Sequence, residues 1–349
     1  MAATGTRDAA YLRTRVAILG SRLLPPEHFD ALIERPQDEI INQRFGQPVT
    51  ESSADSARLE RALMRALLAD LAILIRPMTG PVRDFFLFWA RRFELYNLKA
   101  IIRGKLRTLP EREIEQLLLD VPFFASLDNE QLLRTESAAE LLRQIEVGSY
   151  GSIARQARKA LEAGQDTVAV EAAIDQRYYT GLTDRIRQMP RDDARAMHAL
   201  MGSRIDRINL AWLLRFRFAY GLSPTETYYH LIPHGRHLRR ERLLQLVDGA
   251  DFDAVIAALP ERLQHRLDGI DSALGVERRL EELNRERAAE ALRDSPSSSA
   301  RVLAYLMLRE HELRHLRAIV TAHQLGLPAR LLDCVVGSRG LAYPRHHEA

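Results

Sequence analysis

The run Phe93-Glu94-Leu95-Tyr96-Asn97-Leu98-Lys99-Ala100-Ile101-Ile102-Arg103-Gly104-Lys105 is the most informative in the chain. Glu94 and Asn97 are three apart and share one face of a helix, while Leu98, Ile101 and Ile102 form the apolar stripe beside them. No β-branched alternation interrupts the run, and its residues are mostly good helix formers. The same arrangement occurs twice more. Asp206-Arg207-Ile208-Asn209-Leu210 is followed by Leu213-Leu214-Arg215, and Glu312-Leu313-Arg314-His315-Leu316 by Ile319-Val320-Thr321.

A second matched segment lies upstream of each copy: Leu59-Glu60-Arg61-Ala62-Leu63, Val170-Glu171-Ala172-Ala173-Ile174 and Val276-Glu277-Arg278-Arg279-Leu280. Glu60 precedes Asn97 by 37 residues, Glu171 precedes Asn209 by 38, and Glu277 precedes His315 by 38. A proline stands before each anchor (Pro81, Pro190, Pro296) and another in the turn after it (Pro110, Pro224, Pro328). Several features in one order at near-constant spacing, three times over, make a repeat of about 110 residues. The expected units are 1–112, 113–224 and 225–349. Each holds a long helix of some 25 residues, roughly 40 Å at the α-helical rise, with the Glu-bearing helix antiparallel to it.

Elsewhere too the chain reads as all-α. Leu12, Val16, Leu19 and Leu23 fall on one helical face. Breaks come at Leu24-Pro25-Pro26, Met78-Thr79-Gly80-Pro81, Leu222-Ser223-Pro224 and Ser295-Pro296-Ser297, where proline in a first turn and a preceding Ser or Thr mark helix starts.

The 349 residues suffice for more than one core, and 46% are apolar. Charged residues make up 28% with a net charge of only +3, both signs being mixed along the chain, so the sequence carries no nucleic-acid arm. The densest basic run is His234 to Arg242, with Arg236, Arg239, Arg240 and Arg242, and it reads as a solvated face. The single cysteine, Cys334, excludes an internal disulfide and suits a reducing compartment. The sequence shows no signal-peptide pattern and no apolar run long enough to span a bilayer. Even Phe85 to Ala90 is bounded by Asp84 and Arg91.

The run 93–105 also resembles the E-x-x-N-L-x-x-I-x-R-G-K signature of the C subunit of archaeal and bacterial A/V-type rotary ATPases, the family of the d subunit of the eukaryotic V-type enzymes. Asp175-Gln176-Arg177-Tyr178-Tyr179, Ile208-Asn209-Leu210 with Leu213-Leu214-Arg215, Gly221-Leu222-Ser223-Pro224, and Leu231-Ile232-Pro233-His234-Gly235 resemble that family in order along the chain. So do Tyr11-Leu12-Arg13-Thr14-Arg15 and Leu23-Leu24-Pro25-Pro26-Glu27 near the start. The resemblance implies three helical domains around a pseudo-threefold axis, forming a funnel at the cytoplasmic face of the membrane. It implies a non-catalytic socket that joins the rotor shaft to the membrane rotor ring. No cofactor and no nucleic acid is implied, and the membrane is met only through partner subunits. His315 in place of Asn, Thr321 in place of Arg, and the tail His346-His347-Glu348-Ala349 depart from the pattern.

Glu94, Asn97, Arg103, Asp206, Asn209, Arg215, Glu312 and His315 are therefore the expected repeat anchors, making packing bonds within the body in preference to partner contacts. Arg107, Arg217 and Arg236, in turns after the long helices, are the candidate partner contacts. Trp212 and Leu213, beside Asn209, are expected to be buried.

A competing motif is His311-Glu312-Leu313-Arg314-His315, a literal H-E-x-x-H that would make a zinc metallopeptidase. Ala318 and Thr321 occupy the places where the extended motif needs Gly and His, the only downstream Glu is Glu348 in the tail, and Asp333 would be an unusual third ligand. The repeat accounts for Glu312 without a metal. Cys334 and His346 have no third residue to orient them, and no Walker A or G-x-G-x-x-G loop is present. A stand-alone helical scaffold is the other alternative, but solenoid repeats run to about 30–50 residues.

Overall fold

In the computed structural model, residues 2–25, 53–121 and 126–325 are described. The long helices are α1 (Ala2–Gly20), α2 (Ser53–Ile75), α3 (Gly80–Leu106), α4 (Gly151–Glu162), α5 (Thr167–Arg187), α6 (Arg191–Leu214), α7 (Ala273–Asp294) and α8 (Ser298–Gln324). Shorter helical turns fill the segments between, and among the described residues there is no strand, only one isolated bridge between His234 and Arg239. The chain is all-α. None of these helices is long and apolar enough to cross a membrane. Cys334, Asp333, Pro328 and the His-containing tail lie outside the described residues.

The three prolines stand at the heads of three long helices of 27, 24 and 27 residues, α3, α6 and α8. Their caps differ. Ser297 accepts from the Ala300 amide at the head of α8, whereas Thr79 before α3 makes no side-chain cap. The last turn of α6 widens into a π-turn over Arg215–Ala219, and Gly221, at φ +68°, ends it in a conformation that suits glycine.

The packing order is cyclic. The hairpins α5–α6 and α7–α8 pair each Glu-bearing helix with the long helix that follows it. Each Glu-bearing helix also packs on the preceding long helix: α5 on α3, α7 on α6, and α2 on α8. Ion pairs stitch two of these contacts, Lys99–Asp175 (2.9 Å) and Arg103–Glu171 (3.2 Å) between α3 and α5, and Arg207–Glu277 (3.1 Å) and Arg207–Glu281 (2.9 Å) between α6 and α7. The side chain of Glu60 is outside the described residues. At the α2–α8 contact, the Tyr305 hydroxyl donates to Asp70 (2.7 Å). Helix α1 lies over this seam with Leu12, Val16 and Leu19 buried.

One large core runs through α1, α2, α3, α5 and α8, with Phe85, Phe86, Trp89, Leu98, Ile101 and Leu303 almost fully enclosed. A second gathers the end of α6, the turns of 238–267 and α7. Leu213 is fully buried, but Trp212 is only half-buried. The stripe beside Asn209 turns inward at Leu213 and Phe216, which leaves Trp212 on its flank, tilted against Phe216 (ring centroids 6.1 Å apart).

Candidate functional site at the hub of the long helices

Glu94 and Asp206 sit at the same turn of matched helices and make the same kind of bond. Glu94 Oε1 accepts from the amides of Ser126 (2.6 Å) and Leu127 (2.8 Å), and its Oε2 from the Tyr150 hydroxyl (2.5 Å). Asp206 accepts from the amides of His237 and Leu238, both at 2.9 Å. One turn on, Asn97 closes a two-way bond with the backbone of Leu119, donating at 2.8 Å and accepting at 2.7 Å; Asn209 does so with Ile232 at the same two distances. A carboxylate and an amide thus satisfy buried backbone of the segment that follows each long helix, a job only groups of this polarity can do. The approach is close: a Cβ at Gly235 would overlap Asp206 Oδ1, and the Arg236 amide donates to Gly202 O (3.2 Å).

The third long helix departs from this pattern. Glu312 accepts from the Leu24 amide (3.0 Å), so the segment after α1 meets the acid of α8. Arg309 pairs with the other oxygen of Glu312 (2.5 Å). His315 Nδ1 donates to the His311 carbonyl within its own helix (2.8 Å). That bond fixes the tautomer and spends the nitrogen on the backbone.

Two residues before each acid lie Arg92, Arg204 and Glu310. These matched positions of three matched helices converge. Arg92 Nη1 and Arg204 Nη1 each pair with Glu310 Oε2 at 2.9 Å, and Arg204 Nη2 reaches Oε1 at 3.2 Å. Burial alone would push the Glu310 carboxyl up, but Arg204 and then Arg92 hold it well below the usual carboxylate range. The Arg92 guanidinium also lies 3.5 Å from the centre of the Trp89 ring, a cation–π contact. Sequence reading missed this hub. The signal was there, a charged residue at one offset in all three copies, but its sign changes from Arg to Glu, so the copies look unrelated until the helices are seen to meet.

Beside the hub is a cavity of about 320 Å³. Arg92 and Glu310 form part of its wall, with Lys99, Asp175, Tyr96 and Arg314 among the other lining residues.

The H-E-x-x-H residues are arranged for packing. Glu312 is 2% exposed and engaged by Leu24 and Arg309. The His311 and His315 rings lie 3.9 Å apart, and Glu281, 3.5 Å from His311 Nδ1, is also paired with Arg207 and Arg314. Four arginines in this small space, Arg204, Arg207, Arg285 and Arg314, oppose a dication, and no group of three potential metal ligands occurs among the described residues.

The candidate partner contacts are not brought to one place. Arg107 is exposed just beyond α3, while Arg215, expected as a repeat anchor, is exposed at the end of α6, unlike its match Arg103, which pairs with Glu171. Arg217 is half-buried and donates to three carbonyls, Val247 (2.9 Å), Leu222 (2.7 Å) and Gly249 (3.5 Å). Arg236 packs beside Gly202, so it sits on the order of 20 Å up the axis of α6 from Arg217.

Around Arg236 the positive charge is dense. Burial and then Arg236 and Arg287 push His237 down to about 4; burial and then Arg239 and Arg187 lower His198; burial and then Arg187 lower His234. An unfolded histidine takes its proton near about 6.5, so between about 6.5 and 4 the unfolded chain binds more protons and stability falls as pH falls. Asp206, raised to about 6 chiefly by burial, acts in the opposite sense below that pH. Urea unfolding of wild type and His237→Gln should therefore diverge as pH drops from about 7 to about 5, the wild type losing stability faster; parallel curves would contradict the placement of His237.

The buried charges of this all-helical body hold its own backbone and join its own helices. The family model described as ATP synthase (C/AC39) subunit matches residues 12–333, and the chain belongs to that family. Among its relatives is the C subunit of the A-type ATP synthase of Methanothermobacter thermautotrophicus, 25% identical over 334 residues that cover 93% of this chain and 86% of that one. The protein of the same name from Methanosarcina mazei is 24% identical over 94% of this chain and 92% of its own length. That from Haloferax volcanii is 25% identical over 94% and 97%. The chain is a non-catalytic subunit of an A/V-type ATPase, and the peptidase and free-standing scaffold alternatives find no support in these relatives.

Proposed function

We propose that the chain is the socket of the rotary ATPase: it sits at the cytoplasmic face of the membrane, receives the rotor shaft and seats it on the membrane ring. In this reading the segments 1–112, 113–224 and 225–349 are three units around a pseudo-threefold axis, together forming a funnel. The observation that supports it most is the hub. A part that transmits torque must resist shear between its units, and here three matched helices share one half-buried carboxylate while the cyclic packing returns α2 to α8. The anchors Glu94, Asn97, Asp206, Asn209 and Glu312 serve the same rigidity by fixing the segments between units, and Arg103 ties α3 to α5. His315 and Arg215 hold the matched places where those bonds differ.

Arg107, Arg217 and Arg236 remain the proposed partner contacts. Arg107 and Arg236 are the ones to test by charge reversal, since Arg217 supports the fold through its carbonyl bonds. Tagged chain purified from native membranes is expected to bring the shaft and ring subunits with it. Recovery of the chain alone, or with proteins unrelated to the ATPase, would overturn the reading.

A further inference from the structure

We infer that the cluster of Arg236, His237, Arg262 and Arg287 binds a small, multiply charged free oxyanion of the phosphate class. The inference stands apart from the socket reading, although an anion held here would compete with an acidic partner group for Arg236. The backbone assembles the cluster against α6. The Arg236 amide donates to Gly202 O (3.2 Å), and a Cβ at Gly202 would lie 3.0 Å from the Arg236 Cβ. From α7, the Arg287 guanidinium donates to Ser203 Oγ, the next residue of α6. The His237 amide donates to Asp206 (2.9 Å), one turn further on. Leu238, Leu263 and Leu283 pack in one core, which brings the helical turn Glu261–Gln264 and its Arg262 alongside. The run His234 to Arg242 alone reads as a solvated face; cations from two distant elements make it a site.

These cations lack an acid to neutralise them. Among the described residues, Arg236, Arg239, Arg262 and Arg287 pair with no carboxylate. Asp206, inside the cluster, is spent on the amides of His237 and Leu238, and Glu286, on the far side of Arg287, lies 3.7 Å from Arg279. After burial, the charges that hold the His237 imidazole down are four guanidinium groups: Arg236 and Arg239 from its own turn, Arg287 from α7 and Arg262. Burial and then Arg236 likewise lower Arg287. Like charges gathered this closely are relieved by a bound counter-charge, and a guanidinium fork matches the oxygens of a phosphate. A lone carboxylate would offset one charge of four. Arg236, His237 and Arg287 are half-buried, behind the exposed Arg239 and Arg262, which suits a compact ion better than a flat bilayer surface. A protein partner usually brings an aromatic or apolar core to its contact. No large apolar side chain is exposed in residues 231–239, 261–267 or 283–290 to meet one.

Purified full-length chain is titrated calorimetrically with inorganic pyrophosphate at fixed ionic strength, and each variant is melted to establish folding. Wild type should bind one equivalent. Arg236→Gln and Arg262→Gln should each weaken binding about tenfold or more, the worth of a hydrogen bond to a charged group. Arg143→Gln, which removes an exposed cation elsewhere, should hold wild-type affinity. The His237 imidazole, identified in NMR spectra by its loss in His237→Gln, should titrate at higher pH with pyrophosphate bound, because the anion offsets the arginines around it. Folded wild type that does not bind, an equal loss in Arg143→Gln, or a His237 titration that pyrophosphate leaves in place would overturn the site. Hexaglutamate that binds more tightly than pyrophosphate would overturn the phosphate assignment. Attachment to phosphatidic acid–phosphatidylcholine vesicles that pyrophosphate does not release would overturn the assignment to a free anion.

Discussion

Glu310→Ala is expected to lower the unfolding free energy by about 2–4 kcal/mol, between the cost of breaking a surface pair and that of removing one partner from a fully buried one. The reason is the asymmetry of the hub. Two guanidinium groups from α3 and α6 converge on one carboxylate from α8. Without it, two largely buried positive charges face each other, and among the described residues neither pairs with a second carboxylate. The truncation also removes the side chain that links all three long helices at that level. Glu310→Gln should lie between wild type and Ala, since it retains a hydrogen-bond acceptor and loses the charge. Denaturant unfolding measures both. A loss below about 1 kcal/mol for Ala, the range of a surface pair, would mean that the hub is solvated and holds nothing together.

Trp89→Ala should cost about 3–5 kcal/mol, the range for truncating a buried Trp. The indole is 1% exposed, meets Phe93 edge-on at 6.1 Å between ring centres, and forms the platform under Arg92. Its backbone carbonyl accepts from the Tyr178 hydroxyl of α5 (2.8 Å), which fixes the neighbouring helix in register. That backbone bond survives the truncation, but loss of the indole under Arg92 reaches the hub as well as the core, and Trp89→Ala should be non-additive with Glu310→Ala, because the two residues share Arg92. Trp212→Ala, on a half-buried flank, should cost clearly less. Equal costs at the two positions would show that the burial pattern of α3 and α6 has been assigned wrongly.

The contrast between these tryptophans shows what can be read locally. Helices were legible because their signals are short-range: a proline at the head, apolar residues at three- and four-residue spacing, and a glycine turn such as Gly221 at the end. The matched acid and amide were legible too, since Glu94 with Asn97 and Asp206 with Asn209 recur at one offset. Their partners were not. Apart from the Tyr150 hydroxyl, these are backbone groups of Leu119, Ser126, Leu127, Ile232, His237 and Leu238, and a backbone group leaves no mark in a sequence. Only Gly235, where a side chain would collide with Asp206, hinted at the approach. The third copy shows the same limit. Glu312 meets Leu24, 288 residues away, a contact that appears only when the first and last helices are brought together. Arg92, Arg204 and Glu310 stayed hidden for a different reason: complementarity requires unlike residues at matched positions, whereas a repeat is recognised by like ones.

A subunit that couples and does not catalyse can be removed without stopping the chemistry. ATP hydrolysis and ion uptake, measured in the same membrane vesicles, separate the two roles. The vesicles are prepared with the chain, without it, and with the chain added back. Without the chain, the soluble motor is expected to hydrolyse ATP still while uptake is lost, and adding the chain back should restore uptake. Uptake that persists without the chain, or hydrolysis by the isolated motor that disappears with it, would contradict the coupling role.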